Sequence, residues 1–482
     1  MEVEVAEGNR IRLAYLIPPL FYLAVFVAPY IILLAQYGIV ISLDSYTAWV
    51  FAFTVVQALL SAVLALGGAF LILPAYLKAP WLKPVLLIPF FAPAISTVDA
   101  LIRIHGDVMF SIWGIIIAHG VYYAPYAALI IESNVRSIPA DIIDAMELYV
   151  KRRWAKLRIL TAELKPSILY SFYAVFVFSF LSFTTPLLLG GRYPTLELLV
   201  YIYATSFAST NAVSALVAIT LLTSLAMAVP FFRLPQPPSA EQAPRPVKIG
   251  FFPLAVAALA SAYYIAVGIY IFQPLSAPRA IGDVLQPLVN SVLVAFTSAT
   301  LSIVVTLSFL AADAAGNKMS ILTYVATLSL SKTLFALGFF HLAQPLYGTL
   351  LILTLAHALV ISPLAYSLVK PAWEKIRQDV KEACVLYLGP YKCISRIVTE
   401  ALGPTLVQTW LFAFASSLSE TTLALMLTTG GASTLSATTA RLLTSRAPDF
   451  IETGHFYSSL LALIVLATLA ASRLIKTRPY SF

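Results

Sequence analysis

The residues best placed to do chemistry are a few ionisable side chains set inside apolar stretches. Lys332 lies in SLSKTLFALGFF, Glu420 in SSLSETTLALML, and Asp99 in STVDALIRI with Arg103 four residues on. A charge at the centre of a membrane helix costs about 2.5–3.5 kcal/mol on insertion scales, so each should face a partner or water. Lys332 and Glu420, read as mid-span, form either a structural or gating pair or direct contacts to a substrate. Asp99 and Arg103 have the spacing of a local pair on one helix face. His119 and His357 recur 238 residues apart and read as packed histidines rather than ligands. The doublets Thr184–Thr185 and Thr421–Thr422 can line a polar pathway or bond back to their own helix. No Ser–His pairing, carboxylate pair or metal-ligand spacing emerges, so no catalytic residue and no metal site is expected, and the chain does not read as an enzyme. The two cysteines, Cys384 and Cys393, fall in a basic loop and read as inert thiols, not as a disulfide.

The elements that carry these residues are set by composition. Of 482 residues, 60% are hydrophobic and 11% charged, with a mean hydropathy of +0.89. Soluble domains hold about 45–50% apolar and about 25% charged residues, so the excess here needs a bilayer. Spans of roughly 20 residues are predicted near 12–36, 47–77, 83–104, 108–132, 167–190 and 211–232. Six more are predicted near 251–273, 285–312, 320–341, 345–370, 405–428 and 456–474. Runs this long, without strict alternation, imply helices and not barrel strands. The first run is too long for the core of a cleavable signal and reads as a retained span. The net charge of +8 is spread through short loops rather than gathered on one polar face, which favours a membrane protein over a nucleic-acid binder. With the N-terminus placed in the cytoplasm, 24 Lys and Arg residues fall inside and 5 outside, so both termini are expected to be cytoplasmic.

The chain also matches itself. Residues 118–166 align without gaps on 356–404, with 14 identities in 49 columns. They include His119/His357, Pro125/Pro363, Asp141/Asp379, Ala145/Ala383, Leu148/Leu386 and Tyr149/Tyr387. Internal repeats are common in transporters. Each half has an even number of predicted spans, so the copies enter the membrane in the same direction. The expected organisation is a six-helix half at 1–232, a proline-rich cytosolic linker at 233–250 and a second six-helix half at 251–482.

Two long basic loops, 133–166 and 371–404, follow the fourth predicted span of each half. Such segments suit contact with lipid headgroups or docking to a protein. Headgroup contact explains their charge but not the recurrence of Asp141/Asp379, Asp144/Glu382, Ala145/Ala383 and Tyr149/Tyr387. The first loop reads IPADIIDAMELYVKRRWAKLRILTAELKP and the second RQDVKEACVLYLGPYKCISRIVTEALGP. Both resemble the coupling loop of ABC importer permeases, a Glu-Ala-Ala followed by Gly and then a hydrophobic stretch ending near Leu-Pro. Asp144, Ala145 and Trp154 carry the resemblance in the first copy; Glu382, Ala383 and Gly389 carry it in the second. Asp144 replaces the usual Glu, Met146 the second Ala and Val150 the usual Gly, while Gly389 falls one residue late. Gly190–Gly191 with Thr195–Leu196, and Gly430–Gly431 with Thr434–Leu435, are similar to the subclass with two fused halves, as in ferric iron and thiamine permeases.

The resemblance implies an all-α membrane protein of about 12 helices in two parallel repeats, forming a substrate pathway in the cell membrane. It implies ABC ATPase subunits docking on the cytosolic loops, with Asp144 and Glu382 capping helix N-termini or meeting basic residues of that subunit. It also implies an extracellular or periplasmic solute-binding protein. No Walker sequence occurs here, so this chain is expected to carry no cofactor and ATP to be bound by the partner. The rival is a secondary active transporter of the major facilitator type. That class would concentrate its loop motif between the second and third spans, where only a short turn near 77–83 is available.

Overall fold

The computed structural model describes residues 16–38, 44–191, 193–206, 210–234, 250–277, 284–315, 330–397 and 401–475. The expected linker falls at 235–249 outside the described residues, as does the N-terminal segment before residue 16. Every regular element among the described residues is helical. The principal helices are α1 (Ile17–Tyr37), α2 (Ser45–Lys78), α3 (Ala94–His105), α4 (Ile112–Ser137), α5 (Ala140–Tyr149), α6 (Arg153–Phe180), α7 (Thr184–Leu189), α8 (Leu196–Thr205) and α9 (Thr210–Arg233). They continue with α10 (Phe251–Phe272), α11 (Leu285–Ala314), α12 (Lys332–Leu342), α13 (Leu350–Glu374), α14 (Gln378–Leu388) and α15 (Pro390–Ile397). The last four are α16 (Gly403–Leu418), α17 (Thr422–Leu427), α18 (Leu435–Leu443) and α19 (Pro448–Ser472).

Among the described residues, eight helices are long and apolar enough to cross a membrane: α1, α2, α4, α9, α10, α11, α13 and α19. A ninth would be the pair Pro80–Phe91 and Ala94–Met109, which bends by 96°. The chain is a multi-pass membrane protein, with fewer continuous spans than the twelve expected. The differences have local causes. The span expected at 83–104 breaks at Ala92, which is extended (ψ 152°) ahead of Pro93, because a residue before proline is driven out of the helical region. The spans expected at 167–190 and 405–428 are interrupted after Phe180 and Leu418 and resume as the six-residue helices α7 and α17. Of the span expected at 320–341, residues 320–329 lie outside the described residues and α12 supplies 11 residues.

The helices gather into two compact units that interleave in sequence. The first comprises residues 43–199 and 225–278; the second comprises 1–42, 200–224 and 279–482. In the first unit α2 packs on α4, α6 and α10. Its core interleaves small side chains, among them Ala69, Ala124, Ala127, Ala128 and Ala257, with larger ones such as Ile72, Tyr76 and Tyr264. In lipid, helices attract one another through close packing rather than through exclusion of water, so small residues mark the contacts. In the second unit α11 packs on α13 and α16, and α1 packs on α12 and α11. A Cβ at Gly338 of α12 would lie 2.2 Å from the Pro29 carbonyl of α1, so only glycine allows that approach. The Tyr22 hydroxyl donates to the Leu359 carbonyl at 2.6 Å, and Phe26 stacks on Phe335 with centroids 5.5 Å apart. The first helix thus belongs to the unit built from the C-terminal part, and α10 belongs to the other, an exchange that a boundary at 232–251 does not anticipate.

The cysteines need correction. Cys384 on α14 and Cys393 on α15 form a disulfide. Gly389, with φ of 73°, ends α14 and turns α15 back, bringing the two Cα atoms to 5.4 Å. The expectation of inert thiols weighed cellular compartment and missed this local turn.

Candidate functional site

Both basic loops fold into short surface helices. Pro139 and Arg377, both extended, precede α5 and α14, and none of the residues of either helix is buried. Asp141 and Asp379 occupy the first turns, where a carboxylate complements the helix dipole. Arg377 donates to Asp379 at 3.1 Å and 2.5 Å, and this bond holds the Asp379 carboxyl below the usual carboxylate range. Asp144 and Glu382 are the fifth residue of their helices, one turn too late to cap their N-termini. Glu382 accepts instead from Gln378 at 2.9 Å. Ala145 and Ala383 are exposed beside them. Gly389 ends α14 with a positive φ, whereas Val150 ends α5 in extended backbone.

Several large apolar residues of these helices are strongly exposed. Leu148 and Tyr149 close α5 at 72% and 79% exposure, and Leu386 and Tyr387 stand at 80% and 83% on α14. Trp154, at the start of α6, is 82% exposed. Large apolar side chains held so far out on a short helix mark an interaction surface. The motif residues named from the sequence did not include the Leu–Tyr pairs. The signal was present, since both pairs are identical across the 238-residue shift.

The charged and hydroxylated residues expected along a pathway collect at helix breaks. Lys332 is the first residue of α12, where Ser331 caps by accepting from Leu334 N–H at 3.0 Å. Glu420 lies in the gap between α16 and α17 and accepts from Lys332 at 2.6 Å, from Thr422 N–H at 3.0 Å and from Leu423 N–H at 3.4 Å. An ammonium at a helix N-terminus opposes the dipole, so the carboxylate beside it answers both the ammonium and the free N–H groups of α17. Lys332 is 51% exposed and Glu420 10%. Thr421 and Thr422 are buried at the start of α17; Thr184 and Thr185 begin α7 in the corresponding break, Thr185 buried and Thr184 half-buried.

Within the first unit Asp99 pairs with Arg103 at 3.3 Å, and Arg103 also donates to the Tyr270 carbonyl at 2.6 Å. The two histidines are buried, at 1% exposure each. His119 Nδ1 lies 3.3 Å from Gln57 Oε1, and Gln57 donates to the Ser179 carbonyl at 3.1 Å. His357 Nδ1 lies 2.7 Å from Ser417 Oγ, which accepts from Ser298 at 3.0 Å. In each unit one histidine therefore ties three helices together: α4, α2 and α6 in the first, α13, α11 and α16 in the second.

A curated relative gives this geometry its context. It is the thiamine transport system permease protein ThiP of Haemophilus influenzae, 28% identical over 183 residues. The match covers 33% of this chain and 34% of the relative, so the chain spans about a third of the length of the protein it matches. No family model matches the chain. No solved structure matches it. Joined to the apolar helices, the similarity supports a membrane permease, a transport protein rather than an enzyme.

Proposed function

We propose that this chain is the transmembrane permease subunit of a binding-protein-dependent ABC importer. The observation that carries the reading is the pair of short surface helices, α5 and α14. They lie 238 residues apart, each follows a long apolar helix with a buried histidine, and each carries an exposed Leu–Tyr pair in its last turn. Such an arrangement suits a partner with two equivalent clefts, as two ATPase subunits would offer. ATP would be bound there, and closure of the two subunits would drive the short helices and switch the access of the pathway. A solute-binding protein would deliver the substrate on the opposite side. In this reading both termini and both short helices are cytoplasmic.

The same reading restores twelve spans in two parallel six-helix repeats. The four beyond the continuous helices would be the bent pair Pro80–Met109, the broken pairs α6–α7 and α16–α17, and the segment ending in α12. Matching local bonds support the repeat. Leu196 N–H donates to Thr54 Oγ1 at 3.0 Å, and Leu435 N–H donates to Ser291 Oγ at 2.7 Å, each just after a Thr and each onto the second long helix of its half. A facilitator-type carrier is disfavoured, because the surface helices follow α4 and α13, and the relative belongs to a transport system with a permease component.

The test is co-purification with the ATPase. Replacing Leu148, Tyr149, Leu386 and Tyr387 with Ser removes two large side chains per cleft. Each is worth about 1.5–3 kcal/mol on full burial, so binding should fall by more than roughly a hundredfold with insertion intact. Undiminished ATPase binding in the quadruple variant, or ion-gradient-driven uptake by the isolated chain, would sink the proposal.

A further inference from the structure

Where each long helix turns into its short surface helix, an ion pair ties it to a neighbour, and the long helix contributes an acid in the first unit and a base in the second. In the first unit the charge is Glu132 on α4, 2% exposed. It accepts from Arg136 Nε at 2.5 Å and pairs with Lys83 Nζ at 2.6 Å. Arg136 also donates to the carbonyl of Tyr76, near the end of α2, at 3.4 Å, and the Lys83 ammonium stands 5.9 Å from the Tyr76 ring. The carboxylate thus gathers the ends of α2 and α4 and the turn after α2. Helix α5 starts at Ala140, four residues beyond Arg136.

In the second unit the residue 238 positions on is Lys370, on α13. It forms an ion pair with Asp313 at the end of α11, and the Tyr366 hydroxyl donates to the same carboxylate. Glu374 lies 3.7 Å from the ammonium. One further bond reaches the surface helix itself. Lys381 of α14 donates to the carbonyl of buried Trp373 at 3.4 Å, with its ammonium 5.2 Å from the indole ring. The two copies have diverged in residue type at this site, acid against base: Lys370 links α13 directly to α11, whereas Glu132 reaches α2 through Arg136 and Lys83, which stand at the Tyr76 carbonyl and ring. Apolar side chains of similar volume would commonly be as stabilising as a buried pair. What a charged pair adds is direction: it is satisfied in one register of the two helices and left uncompensated in any other.

We propose that Glu132 and Lys370 are positioning residues that lock α4 to α2 and α13 to α11, so that a displacement of α5 or α14 moves each packed pair as one body. That α5 and α14 are the docking elements rests on the function proposed above; the locks themselves do not. Without them a push on the short helix would bend the foot of α4 or α13 and die out there.

The test uses the full-length chain in lipid nanodiscs and distances between two spin labels in one unit. Labels at Phe70→Cys and Leu148→Cys report the first unit, and labels at Val304→Cys and Leu386→Cys the second. All four sites are exposed, and the native cysteines are bonded to each other. Glu132→Gln should widen the first distance distribution at least twofold and leave the second unchanged; Lys370→Met should do the reverse. The neutral double change Asp313→Asn with Lys370→Met removes both charges of the inter-helix pair and leaves only the exposed Glu374 without its lysine. It should regain thermal stability yet keep the wide distribution, which a merely structural pair would not do. Exchanging the charges, Asp313→Lys with Lys370→Asp, should narrow it again; if that variant does not fold, the neutral double change decides alone. Unchanged widths in monodisperse single variants, or a narrow distribution in the neutral double, would overturn the lock. Failure of the parent chain to bind any ATPase subunit would instead overturn the docking role and leave the lock result standing.

Discussion

Removing either partner of the Lys332–Glu420 pair should be unequal in effect, and the inequality follows from the geometry. Lys332→Met leaves a carboxylate that is 10% exposed, with the Thr422 and Leu423 N–H groups as its remaining partners. Breaking a fully buried pair costs about 3–5 kcal/mol. The two backbone bonds offset part of that, so roughly 2–3 kcal/mol is expected. Glu420→Gln keeps an oxygen for those N–H groups, and the ammonium it abandons is 51% exposed and can turn to water. Its cost should be nearer about 1 kcal/mol, close to that of an exposed pair. The double change should cost little more than Glu420→Gln alone, giving a coupling of about 1–3 kcal/mol for groups in direct contact. Thermal unfolding followed by tryptophan fluorescence in lipid, on the parent, both single variants and the double, measures all three terms. A larger loss for Glu420→Gln than for Lys332→Met, or strict additivity in the double, would refute the argument. If Glu420→Gln abolishes transport with stability kept and the double rescues nothing, the carboxylate contacts substrate instead.

Gly338→Ala should destabilise the chain by about 1–3 kcal/mol, because its Cβ would meet the Pro29 backbone carbonyl, which cannot step aside as a flexible side chain can. Gly431→Ala is the control, with only the Gln286 side chain near at 3.5 Å; equal melting shifts for the two would contradict the packing account. Ser417→Ala should cost about 1–3 kcal/mol by stranding the buried His357 Nδ1, while the Ser298 hydroxyl falls back on the Ala295 carbonyl at 3.3 Å. Ser298→Ala should cost less, since Ser417 keeps its contact with the histidine; the same unfolding measurement ranks them.

How far the sequence revealed the molecule depends on the range of the interaction concerned. Long apolar helices such as α2 and α11 were legible because hydropathy over about 20 residues is a local property. The break at Ala92–Pro93 was also written locally, in a proline, but an apolar window averages over it. The gaps at Ser419–Thr421 and Leu181–Phe183 were not legible. Neither gap holds a proline or glycine, and the bond that Glu420 makes in the first reaches Lys332, 88 residues away, which no local window sees. The surface helices α5 and α14 were found through recurrence across the shift of 238, but recurrence cannot say which side chains face outward. The Leu–Tyr pairs needed the fold to distinguish them from Asp144 and Glu382. The Cys384–Cys393 bond needed the positive φ at Gly389, which sequence suggests only as a possibility for any glycine.

The placement of α1 within the C-terminal unit also has a consequence in time. As the chain is made, α1 enters the bilayer before α11 and α12, carrying Tyr22, Phe26 and Tyr30 on the face that will later meet them. The Tyr30 hydroxyl finds its acceptor on Ser331, 301 residues further along. Until that stretch has been synthesised, α1 must wait among lipids or insertion factors with its aromatic seam uncovered. A break in the chain anywhere in 233–250 would therefore yield two fragments that each lack a helix held by the other, and neither could finish folding before the two had met in the membrane.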